Sequence, residues 1–301
     1  MKNFQFKKID AFTKGLSAGN PCAGVYLKST AEINEREMQQ IASELKGFVN
    51  EVVYVFPEEK GFFLKYYSAE CEVDFCGHGT IGVMYDLIQS HRNLLQQDII
   101  KIRVQNNHLN VYNKIRGNDS VFITAPAPKY RELAIRKEEI ARALKIKVNG
   151  LDNNFKPDLI NAGLNTLIVP IKNLELCLAL LPDQIALKGF CLENGIDIIL
   201  VFTDEVADSG NKFRTRVFAP KFGYLEDPAT GSGNSAFGNY LLHNGLWDGD
   251  IFSIEQNNSY DLPNIIKLDT VKKNDGKNVI FGGAAVVKIE GAYKLSSPRA
   301  N

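Results

Sequence analysis

The sequence lacks what marks several common protein classes. Neither charge is in excess: 35 Lys and Arg balance 35 Asp and Glu over 301 residues, for a formal net charge of zero. Nucleic-acid binders normally carry a basic excess or a basic stripe, so no nucleic-acid partner is expected. The basic group Arg131, Arg136 and Lys137 is interleaved with Glu132, Glu138 and Glu139 and reads as a solvated helix face. No apolar run approaches the roughly 20 residues of a spanning helix. The start, Met1 to Lys8, alternates charged and apolar residues without the apolar core of a signal peptide. The expectation is a cytoplasmic chain with no membrane partner. Its five cysteines (Cys22, Cys71, Cys76, Cys177 and Cys191) are odd in number and contain no Cys-x-x-Cys pair. Free thiols are expected, and with no His-x-x-x-His spacing either, no metal site.

What is present is ordinary globular composition, 45% hydrophobic and 23% charged, in a length that favours two domains. Strands are expected at Phe4–Phe12, Ala23–Leu27, Glu51–Phe56 and Phe62–Tyr67, then at Ile99–Val104 and Leu109–Tyr112. An amphipathic helix is expected at Ile33–Leu45, where Met38, Ile41, Ala42 and Leu45 fall at three- and four-residue spacing. A buried helix is expected at Ile81–Ile88. The second half offers strands at Ser120–Thr124, Leu164–Val169 and Ile196–Phe202, and helices at Glu138–Leu144 and Ala236–Leu242. Pro126 and Pro128 stop the first of these strands.

The halves correspond. Phe218-Ala219-Pro220 follows Tyr67-Ser68-Ala69 by 151 residues, and Thr230-Gly231-Ser232-Gly233 follows Cys76-Gly77-His78-Gly79 by 154, so the second copy carries three extra residues. Each copy reads strand, loop, glycine-rich turn, buried helix. This implies a duplicated α+β molecule with an N-terminal lobe (1–117) and a C-terminal lobe (118–301), the last strand being a candidate to cross back to the first lobe. A ligand site is expected in the cleft between such lobes.

The first N–H groups of a helix lack internal partners and attract anions. Glycines at 77, 79 and 231 would let a small carboxylate approach them, or would simply let a buried helix pack closely. No Gly-Lys-Ser/Thr follows, so this is not a phosphate loop. Asp227, held extended before Pro228, could cap the next helix or face the cleft. His78 sits at a helix start where it can donate to an anion or move a proton. His91, His108 and His243 lie in polar surroundings and read as surface residues. Glu51 leads the apolar strand Val52-Val53-Tyr54-Val55, and burial there is expected to raise its pKa toward neutrality, which suits acid/base work.

These residues, in order, resemble a known family. Asp10-Ala11-Phe12 with Gly19-Asn20-Pro21, Asn50-Glu51, Glu72-Val73-Asp74-Phe75-Cys76-Gly77-His78-Gly79-Thr80, Phe218-Ala219-Pro220 and Glu226-Asp227-Pro228-Ala229-Thr230-Gly231-Ser232 are similar to the phenazine-biosynthesis (PhzF-like) isomerases. The resemblance implies the diaminopimelate-epimerase-like fold, two pseudo-symmetric lobes with a curved, mostly antiparallel, barrel-like sheet around a central helix. It implies homodimers, no cofactor, and a cofactor-independent isomerase moving a proton on a small carboxylate-bearing metabolite, similar to trans-2,3-dihydro-3-hydroxyanthranilate isomerase. Glu51 would be the general acid/base, with His78 and Asp227 catalytic and Asn20, Gly77, Gly79, Gly231 and Ser232 binding substrate. The alternative is a metabolite-binding protein without the chemistry. Two-cysteine racemisation is disfavoured because Thr230 stands opposite Cys76, which then reads as a small buried residue. One departure is the stretch after Gln256, where Asn257-Asn258 replaces the usual glycine.

Overall fold

Two copies of one strand order build the chain. The computed structural model describes residues 1–273 and 276–296, the Lys273 side chain excepted. They form two units, the first from Met1–Thr13, Ala18–Ile123 and the segment from Gly283 onward, the second from Lys14–Ser17 and Thr124–Gly282.

In the first unit the strands are β1 (Lys2–Ala11), β2 (Asn20–Tyr26), β3 (Glu51–Glu58), β4 (Gly61–Ser68), β5 (Glu72–Val73), β6 (Ile99–Val104), β7 (Asn107–Asn113), β8 (Val121–Thr124) and the last strand, β18 (Ala285–Leu295). They pair in the order β18-β1-β2-β3-β4-β6-β7-β8, with β5 also on β4. Pairing is antiparallel except for β2–β3 and β4–β6. Each of these parallel steps is bridged by a helix, Glu35–Glu44 and Gly77–Ser90, as parallel neighbours require.

The second unit repeats this with β9 (Lys129–Arg131), β10 (Asp158–Asn161), β11 (Asn165–Pro170), β12 (Ile198–Thr203), β13 (Phe213–Phe218), β14 (Glu226–Asp227), β15 (Phe252–Gln256), β16 (Asn264–Lys273) and β17 (Gly276–Gly283). Its order is β9-β10-β11-β12-β13-β15-β16-β17 with β14 on β13, and its parallel pairs are β11–β12 and β13–β15. Tyr67 pairs with Glu72 and Phe218 with Glu226. The three extra residues therefore lie between β13 and β14, where the chain makes the short 3-10 turn Pro220–Phe222.

Helix Glu35–Glu44 starts on a capping box: the Asn34 side chain accepts from the Glu37 N–H and the Glu37 carboxylate accepts from the Asn34 N–H. Its Met38, Ile41 and Ala42 share a core with Val52, Tyr54 and Phe56 on one face of β3. Helix Gly77–Ser90 packs against β1, β2, β3 and β18, and every residue from Gly79 to Ile88 is buried. A helix apolar nearly all round belongs inside a protein. Its one buried charge, Asp86, is matched by the Lys7 ammonium at 2.9 and 3.0 Å and the Tyr26 hydroxyl at 2.7 Å. Helix Gly231–His243 is the counterpart, packed on β10, β11, β12 and β16. The expected α+β class, with a mostly antiparallel sheet laid on a buried helix in each unit, is the one observed.

Two details follow from this frame. Arg214 and Glu255 form a fully buried ion pair at 2.8 Å, and Glu255 also accepts from the Ala207 and Asp208 N–H groups and from Asn211. Such a pair persists only when its remaining hydrogen-bonding capacity is filled. Asn257 has φ of 111°, backbone that favours glycine, and its side chain accepts from the Ser259 N–H at 2.8 Å. Among the described residues no helix is long and apolar enough to cross a membrane.

Candidate active site

Glu51 is the first residue of β3. Alternation along a strand sends Val52, Tyr54 and Phe56 into the core of helix Glu35–Glu44, so Glu51 and Val53 point to the other face, toward helix Gly77–Ser90. Gly79 marks how closely that helix approaches: a Cβ there would lie 2.7 Å from Val53 Cγ2 and 2.9 Å from Cys76 Sγ. Beside Glu51, β2 runs parallel with Cys22 opposite it. Asn20, buried at the start of β2, accepts from the Asn50 side-chain amide at 3.3 Å.

Cys76 is the residue capping helix Gly77–Ser90, its Sγ accepting from the Gly79 N–H at 3.3 Å. Two residues on, His78 turns back over it, with Nδ1 at 3.5 Å from Sγ. His78 Nε2 then reaches Glu51 Oε2 at 3.2 Å, the side chains being 13% and 25% exposed. The approach lacks the alignment of a hydrogen bond, and Oε2 is buried with no other partner.

Burial alone would raise the Glu51 carboxyl, but the close approach and charge of His78 outweigh it and hold the group below its ordinary value. This corrects the expectation of a raised Glu51, since the sequence could not show that an imidazole stands against it. Burial would likewise lower His78, and the Cys76 sulfur and Glu51 carboxylate reverse that, holding the imidazole well above its usual value. Burial, the dominant influence on Cys76, raises its thiol. The lowered carboxyl and the raised imidazole shift in the directions of a carboxylate beside an imidazolium.

The matching turn of the second unit is built on Gln256, whose side chain donates to the Asp227 carbonyl at 2.9 Å and to Thr230 Oγ1 at 3.1 Å. Gln256 Oε1 accepts from the Thr230 N–H at 3.1 Å and from Asn234 at 2.6 Å. Asp227, considered from sequence as a cap, stands three residues before the capping position. Its carboxylate takes the hydroxyl of Thr230, the residue that occupies the capping position. Gly231 is required by packing, because a Cβ would fall 2.1 Å from the Phe281 ring. Ser232 is half-buried at the second helical position, and its carbonyl accepts from Ser235 Oγ at 2.8 Å.

Of the residues singled out from sequence, the first unit brings Glu51 and His78 into contact, at the turn holding Gly77 and Gly79 and one strand from Asn20. Asp227, Gly231 and Ser232 share the turn of the second unit. His91, His108 and His243 are exposed, as expected. Two residues that were not singled out build these turns. Cys76 is buried at the turn, as read from sequence, and also touches His78, which the Cys-x-His spacing at a helix start could have signalled. Gln256 gave no signal, its partners lying 22 to 29 residues earlier in the chain.

The two-unit α+β fold is of the diaminopimelate-epimerase-like class. Its fold matches the crystal structure of a Bacillus anthracis phenazine biosynthesis protein of the PhzF family, with a TM-score of 0.85 and 26% identity over 98% of this chain and 100% of that one. Residues 9–291 match the model of the phenazine biosynthesis-like proteins, and the chain belongs to this PhzC–PhzF family. It is 29% identical to an uncharacterized isomerase of Clostridium acetobutylicum, over 98% of this chain and all of that one. It is 26% identical to the trans-2,3-dihydro-3-hydroxyanthranilate isomerase of Pseudomonas fluorescens, over 79% of each.

Proposed function

We propose that this PhzF-family isomerase moves a proton between carbons of a small carboxylate-bearing metabolite, with Glu51 as the general acid/base and no cofactor in the reaction. The observation that carries the reading is the Glu51 carboxylate, a quarter exposed, with one oxygen buried 3.2 Å from His78 Nε2. A carboxylate held ionised in this way can accept a proton from carbon.

The substrate carboxylate docks on the N–H groups that open helix Gly77–Ser90, at the side of Gly77, since the Gly79 N–H already donates to Cys76 Sγ. Glu51 removes a proton from a carbon activated by conjugation: the C–H bond breaks, an O–H bond forms, and the electron pair enters the conjugated system. The same O–H then returns the proton to a different carbon, so atoms and electrons balance with no oxidant. His78, positively charged beside Glu51, offsets the negative charge that develops, and Asn20 positions the Asn50–Glu51 strand entry. Positioned proton transfer is worth roughly 10²–10⁴-fold.

Glu51→Gln removes the base with little change of shape. The expected result is loss of turnover by at least about 10²-fold on dihydro-hydroxyanthranilate or another member of a carboxylic-acid panel, with the melting temperature retaining a folded chain. Full turnover in the variant removes Glu51 from the mechanism. Stabilisation by acids with no turnover in the wild type supports a metabolite-binding protein instead.

A further inference from the structure

Glu51, Cys76 and His78 each offer a metal-ligating atom, and these atoms lie within 4.8 Å of one another. Cys76 Sγ is 3.8 Å from His78 Nε2, which is 3.2 Å from Glu51 Oε2. A tetrahedral zinc ion, with bonds of about 2.3 Å to sulfur and about 2.0 Å to nitrogen and oxygen, sets sulfur and nitrogen roughly 3.6 Å apart and nitrogen and oxygen roughly 3.3 Å apart. These two separations are within a few tenths of an ångström of those, and the third, from Cys76 Sγ to Glu51 Oε2, is no more than 4.8 Å. Glu51 Oε2 faces the His78 imidazole, the contact that an ion lying between the two would replace, and the Glu51 side chain is a quarter exposed. Sequence spacing hides this donor set because the carboxylate comes from the start of β3 and the other two from the turn before the helix.

We propose that Glu51, Cys76 and His78 bind a thiophilic divalent cation of the zinc type, with one tetrahedral position left open, and that this ion reversibly shuts off the isomerase. The second half rests on the reading of Glu51 as the base: coordination occupies the oxygen that must accept the proton. On binding, bonds form from the metal to sulfur, nitrogen and oxygen, the thiol and imidazolium protons leave to solvent, and no electrons change hands. Thiolate and imidazole select zinc, cadmium or cobalt over magnesium and calcium, which favour all-oxygen sites.

The test begins with chelator-stripped full-length protein titrated with Co²⁺ alone. The expected result is a one-to-one complex with the intense visible absorption of a tetrahedral centre and a near-ultraviolet thiolate-to-cobalt band. Cys76→Ser should abolish that band, whereas Cys71→Ser, at an exposed cysteine, should leave it. Glu51→Gln, an independent variant, should weaken zinc binding by more than the roughly 10–100-fold typical of changes outside the ligand shell. Zinc should displace the cobalt and stop turnover, a chelator should restore it, and magnesium should do neither. A band that survives Cys76→Ser or is lost in Cys71→Ser overturns the site, as does cobalt bound without a thiolate band. Turnover undiminished in saturating zinc overturns the regulation. Because cobalt binding is read without substrate, a chain that shows the Cys76-dependent band yet turns over no acid contradicts the isomerase reading and supports the metal site.

Discussion

The charge on Glu51 is decided between two forces of opposite sign. Burial penalises it and the neighbouring imidazole rewards it, and the second wins, favouring the ionised carboxylate. The signs fix a pH window. A carboxyl whose folded pKa lies below its unfolded value, ordinarily about 4.3, adds stability above that value and loses it as pH falls through the folded one. An imidazole raised above its unfolded value of about 6.5 adds stability below that pH and loses it as pH rises through the folded one. Both contributions are complete between about pH 4.3 and 6.5. In chelator-containing buffer, the difference in melting temperature between wild type and Glu51→Gln should be largest in that interval and shrink on both sides. A difference that keeps growing into alkaline pH contradicts the pair. The acid limb of kcat/KM should likewise lie below the ordinary carboxylate range. None of this was readable from sequence, where Glu51 shows only an apolar strand behind it and His78 lies 27 positions away.

At the scale of elements, the glycine turns carry two readings, open approach for an anion and close packing of a helix. At Gly231 packing is sufficient by itself. Gly231→Ala drives a methyl into the Phe281 ring and should destabilise by about 1–3 kcal/mol, seen as a lower melting temperature. Gly189 provides the contrast: it lies inside helix Gln184–Glu193 with nothing within 4 Å of the place a Cβ would take, so Gly189→Ala should stabilise by about 0.5–1 kcal/mol. If the two substitutions shift the melt alike, packing is not the reason for Gly231. Elements with strong periodicity or alternation, such as helix Glu35–Glu44 and strands β3, β4 and β6, were legible in the sequence within a few residues. β10 was not, having only the four residues Asp158–Asn161 with no alternation to distinguish it. Helix Gln184–Glu193 was not either, since it leaves Ile185 and Leu192 exposed and so blurs its apolar stripe.

Across the whole molecule, the duplication preserved topology and dispersed the chemistry. Glu51 pairs with Ser68, and the matching place in the second unit, one residue before the Ile199–Phe218 pair, belongs to Ile198. Thr230 and Ser232 stand where the first unit has Cys76 and His78, and Asp227 answers to Val73. The Glu51–His78 pair thus has no counterpart in the second unit and belongs to the copy whose sheet includes β18. β18 pairs with β1 from Lys2–Leu295 to Ala11–Ala285, the place β9 takes beside β10. Leu295 is buried in the same core as Phe4, Phe6 and Val25. Ending the chain after Gly283 strips β1 of that neighbour, and the loss of Leu295 alone should cost about 2–5 kcal/mol. The first unit should then melt separately and earlier, with turnover lost, while limited proteolysis still yields a resistant fragment within 124–282. A truncated chain that keeps one unchanged melt and full turnover would show that β18 is dispensable and that the active copy stands without it.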